Sequence, residues 1–384
     1  MGKPLPDGYA PAVLEQHKKG RSMRRHRSLG NALADGGGYG PGFDLLRHAA
    51  ALTVLVSHAF PITTGNYASE PVHALTQGRL DAGTLAVYVF FAISGFLITQ
   101  SADRSRSLAS FARKRVLRIM PGMVAVILLV NGVLGPIVTT LPLADYVASP
   151  ELWRNFGPLL FLPNPDALPG VFKHNISPGG VNISLWTLRY EVACYTLIAI
   201  GLLYPLRRGG WPILVLLFLF WVPTGPAPGL LDILPGVLQR LFPLAACFFS
   251  GAALYLFRNR IPLHPAILAL SLEAVGASIV WFPFGIAGPI ALAYAVIAIG
   301  FRLPARWRLH RDYSYGIYLW AFPIQQTLQF ALPSPWWGNA LMALPIVLVA
   351  AALSWHLLER RALAWKTAVR TIPKRQAMAS SETA

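Results

Sequence analysis

Apolar runs of about the length that crosses a bilayer recur through most of this 384-residue chain, and nothing else constrains its fold as strongly. A hydrocarbon core about 30 Å thick takes roughly 20 residues of helix, and backbone polar groups within it must be satisfied inside the helix itself. Ten such segments are expected, near residues 43–62, 81–101, 119–139, 183–205, 211–223, 236–257, 264–283, 286–302, 313–332 and 337–359. The chain therefore reads as all-α, a polytopic transmembrane helix bundle. Composition agrees. Residues are 54% hydrophobic and only 13% charged, against about 25% charged in a soluble domain.

The formal charge of +17 would suggest nucleic acid in a soluble protein. Here Lys and Arg cluster between the apolar runs. Seven lie in the first 42 residues, and Arg104, Arg106, Arg113, Lys114, Arg115 and Arg118 follow the second run. Arg207 and Arg208 follow the fourth run, Arg258 and Arg260 the sixth, and Arg302, Arg306, Arg308 and Arg311 the eighth. Arg360, Arg361, Lys366, Arg370, Lys374 and Arg375 close the chain, while the intervening connections hold only Arg79, Arg154 and Lys173. The positive-inside rule turns this alternation into a topology with both termini cytoplasmic. The basic surplus is then topological, and no nucleic-acid partner is expected.

Residues 1–42 are expected to form a basic, disordered cytoplasmic tail, 43–361 the membrane domain and 362–384 a second tail. No apolar core follows the start closely enough for a cleavable signal, so the first span is expected to serve as an uncleaved anchor. The stretch Gly36-Gly37-Gly38-Tyr39-Gly40-Pro41-Gly42 follows no strand and lacks the Lys-Ser/Thr ending of a phosphate loop, so it reads as a linker. The longest outer connection, 141–182, holds Trp153, Pro163, Pro165, Asp166, Pro169, His174 and Pro178. Its length predicts a folded cap. Asn175 and Asn182 match the short glycosylation pattern, and modification is not expected. Cys194 and Cys247 sit in apolar runs and offer neither a disulfide framework nor a metal site.

The first span carries Arg47 and His58. A guanidinium within a span is expensive, by contested estimates starting at about 2.5 kcal/mol. Eleven residues at about 100° each bring both side chains to nearly the same face, roughly 16 Å apart along the axis. A permanent cation and a titratable base are thus expected to face one protein-lined passage. Glu191 is a second ionisable group inside a span, either a structural ion-pair partner or a residue that orients His58. Trp186 and Tyr190 share a helix face beside it, whereas Arg189 points elsewhere. Arg115 and Arg118, three apart, form a pair suited to gripping phosphate or to anchoring at the interface. Ser94 and Gly95 are small residues that allow close approach. Ser94 has no base beside it in sequence, so packing is its expected role. Tyr313, Tyr315 and Tyr318 with Trp320 suit either a pocket wall or an interfacial belt. Glu359, with Arg360 and Arg361, is expected simply to end the last helix at the cytoplasmic face.

Five segments taken in order resemble the integral-membrane acyltransferase 3 family, which includes bacterial polysaccharide and lipopolysaccharide O-acetyltransferases. They are Arg47 to His58, Phe90-Phe91-Ala92-Ile93-Ser94-Gly95-Phe96-Leu97, Arg115-Val116-Leu117-Arg118-Ile119-Met120-Pro121, Leu185-Trp186-Thr187-Leu188-Arg189-Tyr190-Glu191 and Tyr313-Ser314-Tyr315-Gly316-Ile317-Tyr318-Leu319-Trp320. The resemblance spans about residues 43–361. It implies an inner-membrane O-acyltransferase with a cytoplasmic acyl-CoA donor, usually acetyl-CoA, and a hydroxyl acceptor on a polysaccharide, lipopolysaccharide or glycolipid. No permanently bound cofactor or metal is implied. It points to Arg47, His58 and Glu191 as catalytic, to Arg115, Arg118, Ser94 and Gly95 as donor-binding, and to Trp186, Tyr195, Tyr315 and Tyr318 as pocket-lining. One departure stands out: many relatives place a histidine where this chain has Ala321, and His356 lies too far along the last helix to replace it. From buried ionisable groups alone, a transporter or flippase using Arg47, His58 and Glu191 as its path is the rival reading.

Overall fold

The computed structural model describes residues 27–105, 107–163, 167–178, 180–203, 210–309 and 311–368. Residues 1–26 and 369–384 of the expected tails, and the basic residues Arg106, Arg207 and Arg208, lie outside the described residues, as do Pro165 and Asp166 of the cap. A helix falls in each of the ten expected segments: α1 Phe43–Thr64, α2 Ala82–Asp103, α3 Leu108–Leu129, α4 Leu188–Leu203, α5 Trp211–Thr224, α6 Gly236–Leu256, α7 Pro265–Val280, α8 Gly288–Arg302, α9 Ser314–Ala331 and α10 Trp336–Ser354. No strand occurs among the described residues, only an isolated bridge between Ser28 and Pro262.

Five helical stretches among the described residues are long and apolar enough to cross a membrane: Phe43–Thr64, Ala82–Asp103, Leu108–Val138, Gly236–Leu256 and Trp336–Ala364. Trp211–Thr224, Pro265–Val280 and Gly288–Arg302 are apolar but shorter. The third stretch begins well before the expected boundary at residue 119. The Ser107 side chain caps it, accepting from the Ser110 N–H at 3.2 Å. Its first turns carry Arg113–Arg118, so the basic cluster is helical and Pro121 lies inside the helix. At 1.5 Å per residue, the 31 residues of this stretch reach about 46 Å, longer than a hydrocarbon core.

The centre of the bundle is a backbone-close crossing of α2 and α6. A β-carbon at Gly95 would fall 1.8 Å from the Phe248 carbonyl oxygen, and one at Gly251 would fall 2.1 Å from that of Ala92. Small residues on both helices permit this contact, which dispersion then stabilises along its length.

Two segments depart from expectation. The stretch before α1 is not a free tail from residue 27 onward. A short helix, Leu29–Asp35, buries Leu29, Ala32 and Leu33 in one apolar cluster with α2, α6 and α8. The cap does not stay outside the bundle either. Asn175 Nδ2 donates to the Gln326 backbone oxygen (3.0 Å) and side chain (2.7 Å), and Gln326 Nε2 donates to the carbonyls of Ser177 and Gly180. Further along, Asn182 Nδ2 donates to Leu319 O (3.1 Å) and Tyr318 OH to Ser184 O (2.6 Å). From Gln326 to Tyr318 is about 12 Å along α9. The segment therefore descends into the bundle, and residues 183–187 form a 3-10 turn before α4 begins. Irregular backbone is tolerated at such depth only where protein or a cavity surrounds it. Asn175 and Asn182 are both buried, which withdraws them from any glycosylating enzyme.

Candidate active site

A cavity of about 150 Å³ opens between α1, α2, α3, α4 and α9. By the space one probe-sized water takes, it holds on the order of ten waters. Arg47, Ser94, Arg115, Arg118, Glu191, Tyr195, Tyr315 and Tyr318 of the expected set line it, together with Thr187 and Ser314.

Glu191 accepts from Ser94 Oγ at 2.9 Å and from Tyr195 OH, both on Oε1. Ser94 Oγ and Tyr195 OH are 3.4 Å apart. Glu191 and Tyr195 are four residues apart on α4 and so share a face, and the descending cap segment sets that face against α2. Thr187, one turn before Glu191, pairs with Tyr318 OH at 2.7 Å.

Carboxylates engage two of the guanidiniums. Arg47 Nη2 donates to Asp44 Oδ1 (2.6 Å) and Tyr39 OH (2.9 Å), and pairs with Asp312 Oδ2 at 3.0 Å. Arg118 Nη2 donates to the same Asp312 oxygen, and its Nη1 is 3.5 Å from Glu359 Oε2. Asp312 lies just before α9. Burial alone would raise its carboxyl, but the Arg118 and Arg47 guanidiniums outweigh that and hold it well below the usual carboxylate range. Arg115 makes no ion pair among the described residues. Its guanidinium sits 5.9 Å from the Phe111 and Tyr195 ring centres, and Nη2 is 3.5 Å from Ser101 Oγ. The Nε–H groups of Arg47 and Arg115 are buried without hydrogen-bond partners among the described residues. The guanidiniums of Arg47 and Arg118 thus meet the carboxylates of Asp44, Asp312 and Glu359. Three carboxylates face two guanidiniums there, and Arg118 is engaged by two of the three.

His58 stands apart. Its ring packs edge to face on Phe322 at 5.2 Å, facing protein rather than lipid, but it does not line the cavity. Neither ring nitrogen has a hydrogen-bond partner among the described residues, and Nδ1 is buried. Phe322 lies one turn beyond Tyr318 on α9, and Tyr318 meets Phe90 edge to face at 6.0 Å. Arg47 and His58 thus do not line one common cavity. Glu191 does not orient His58. The carboxylate whose charge reaches the imidazole is Asp81, which caps α2 and accepts from Ser57 Oγ at 3.4 Å.

Two other expected residues face away. Gly95 meets the α6 backbone, not the cavity. Trp186 packs on Tyr190 (5.6 Å) and lies under Arg240 of α6 (5.9 Å), because the 3-10 turn carries it off the Thr187–Glu191 face. Sequence reasoning missed Asp44, Asp312 and the partnering role of Glu359. Glu359 does not simply end a helix at the surface. It is 1% exposed, accepts from Ser354 Oγ at 2.9 Å and ties the last helix to Arg118 of α3. The only signal for these acidic residues was their position next to the quoted segments. Ala321 is fully buried. His356 does not stand in for a histidine there, since its Nε2 meets Tyr313 OH at 3.2 Å near the basic end. No cluster of potential metal ligands occurs among the described residues.

Residues 41–359 match the family model described as an acyltransferase domain. The chain is 30% identical over 327 residues to an O-acetyl transferase of Shigella phage Sf6, a match covering 84% of this chain and 95% of that protein. It is also 30% identical over 374 residues to nodulation protein 10 of Rhizobium leguminosarum bv. viciae, covering 86% and 95% respectively. No solved structure matches.

Proposed function

The chain belongs to this acyltransferase family, and from that premise we propose that it moves an acyl group, acetyl from acetyl-CoA, onto a hydroxyl of an exported or cell-surface glycan at the inner membrane. One observation carries the reading: the cavity lined by Glu191, Ser94, Arg47 and Arg115, in which the Ser94 hydroxyl donates to the Glu191 carboxylate at 2.9 Å. Acyl transfer needs a proton acceptor beside the attacking oxygen and donors for the negative charge that develops on the carbonyl. The O-acetyl transferase relative supports acetyl as the group and oxygen as the acceptor atom.

The thioester end of the donor enters the cavity. Its phosphates stay at the basic end, where Arg115 makes no ion pair with a carboxylate among the described residues. Arg118 and Arg47, neutralised by Asp312, Asp44 and Glu359, shape the cavity floor. His58, behind Phe322, serves the acceptor: it takes the hydroxyl proton as that oxygen attacks. General-base help of this kind is typically worth about 10²–10⁴-fold. A cavity of this size, which His58 does not line, favours transfer over passage of a whole substrate.

Membranes carrying the chain, given labelled acetyl-CoA, should pass label to a polymer or lipid that can then be identified. His58→Ala should abolish that transfer while CoA still shifts the thermal unfolding of the protein. Full activity in His58→Ala removes the imidazole from the mechanism. No transfer and no CoA shift in the wild type would return the reading to a transporter.

A further inference from the structure

Resting on that reading, we propose that Ser94 is a nucleophile which holds the acyl group as an ester between donor and acceptor. An activated serine needs a base within hydrogen-bond reach and a third group that fixes the base. Glu191 Oε1 lies 2.9 Å from Ser94 Oγ, and Tyr195 OH holds the same carboxylate oxygen. A developing oxyanion needs donors not already engaged. Arg115 lines the cavity and makes no ion pair with a carboxylate among the described residues, so its guanidinium is left to donate. Apolar side chains of Val87, Phe90, Phe91, Leu97 and Ile98 line the same cavity around this pair. His58 does not line this cavity; its ring packs on Phe322, one turn beyond the lining residue Tyr318 on α9. A thioester in the cavity therefore meets the Ser94–Glu191 pair and not the imidazole, so the serine is the first nucleophile it encounters.

The chemistry balances without a co-reactant. Ser94 Oγ attacks the thioester carbonyl and its proton passes to Glu191. The C–S bond breaks, and CoA leaves as the thiolate, which takes a proton from water at the basic end. The acceptor oxygen then attacks the serine ester and gives its proton to His58. The C–Oγ bond breaks, Glu191 returns its proton to Ser94, and His58 releases its own to water.

The test uses membranes containing the full chain, labelled acetyl-CoA and no acceptor, quenched in acid and mapped by mass spectrometry. Wild type should carry an acetyl group on Ser94. His58→Ala should accumulate it, Ser94→Ala should lack it and lose transfer by roughly 10³-fold or more, and Ser94→Cys should carry a thioester released by neutral hydroxylamine. Because the wild type is itself read, a variant that folds poorly does not decide the result. Wild-type membranes that transfer normally once acceptor is added, yet never carry label on Ser94, overturn the relay alone. So does Ser94→Ala that transfers at the wild-type rate. Wild-type membranes that transfer nothing from acetyl-CoA or longer acyl-CoA sink the parent reading and the relay together.

Discussion

Among individual side chains, carboxylates organise the cavity. One oxygen of Asp312 joins Arg47 of α1 to Arg118 of α3. Side-chain exposures of 13%, 19% and 23% place the trio well out of bulk water. Removing one partner from such a cluster leaves uncompensated buried charge, which costs about 3–5 kcal/mol. Asp312→Ala should therefore lower the thermal midpoint in detergent and weaken transfer, although Asp312 touches no substrate. The pH response follows from the direction of its shift. A depressed carboxyl contributes stability that is present above its unfolded value and lost as pH falls through the folded one. Thermal stability should thus show no loss from this group between pH 5 and 8, a window set by an ordinary Asp near 3.9. A step in that window that Asp312→Ala removes would contradict the assignment. In sequence, Asp312 stands among surface-like arginines and Glu359 beside two more, so both look solvated. Only the fold turns them inward.

Between secondary-structure elements, two local devices set where the cap meets the bundle and how the helices cross. After Leu129 the third helix widens into a π turn, Val130–Leu134, before resuming as Gly135–Val138. Gly135 N–H then bonds the Val130 carbonyl, and the next residue, Pro136, has no N–H to give. The Asn131 carbonyl is left over, and Tyr146 OH from the cap helix Leu143–Ala148 donates to it at 2.7 Å. Burial pushes the Tyr146 hydroxyl up to about 12, keeping it a donor at any working pH. Tyr146→Phe strands that carbonyl and should cost about 1–3 kcal/mol, read as faster proteolysis of the cap. A β-carbon at Gly135 would fall 2.0 Å from the Tyr146 oxygen, so Gly135→Ala should mimic the loss. The α2–α6 crossing is the second device. Gly95→Ala should destabilise by about 1–3 kcal/mol or more, through forced separation of packed backbones, while its neighbour Ser94→Ala should leave the unfolding midpoint near wild type. Equal unfolding midpoints for the two variants would show that Gly95 does not hold the helices together. Both positions were visible in sequence as small residues. Which one faced a helix and which faced a cavity was not, because adjacent positions on one helix point about 100° apart and the sequence does not say which partner lies where.

For the molecule as a whole, the apolar runs and their basic punctuation imply an outer cap and a cytoplasmic basic end. Cys194 and Cys247 are both fully buried, so labelling of new surface cysteines has a clean background. Trp153→Cys, at a position 60% exposed on the cap, should react with an impermeant maleimide on intact cells, and Arg360→Cys only after permeabilisation. The reverse pattern would invert the topology. The helical class, the expected segments and their order were legible from the residues alone. Backbone in lipid has to bond within its own helix, and it therefore writes its length and apolarity into consecutive residues. Which partners the ionisable residues meet was decided by packing between helices. The descent of the cap along α9, the pairing of Glu191 with Ser94 instead of His58, and the neutralising of Arg47 and Arg118 all join positions far apart in the chain. Such partners are selected across helix interfaces, and no spacing within a single helix records them.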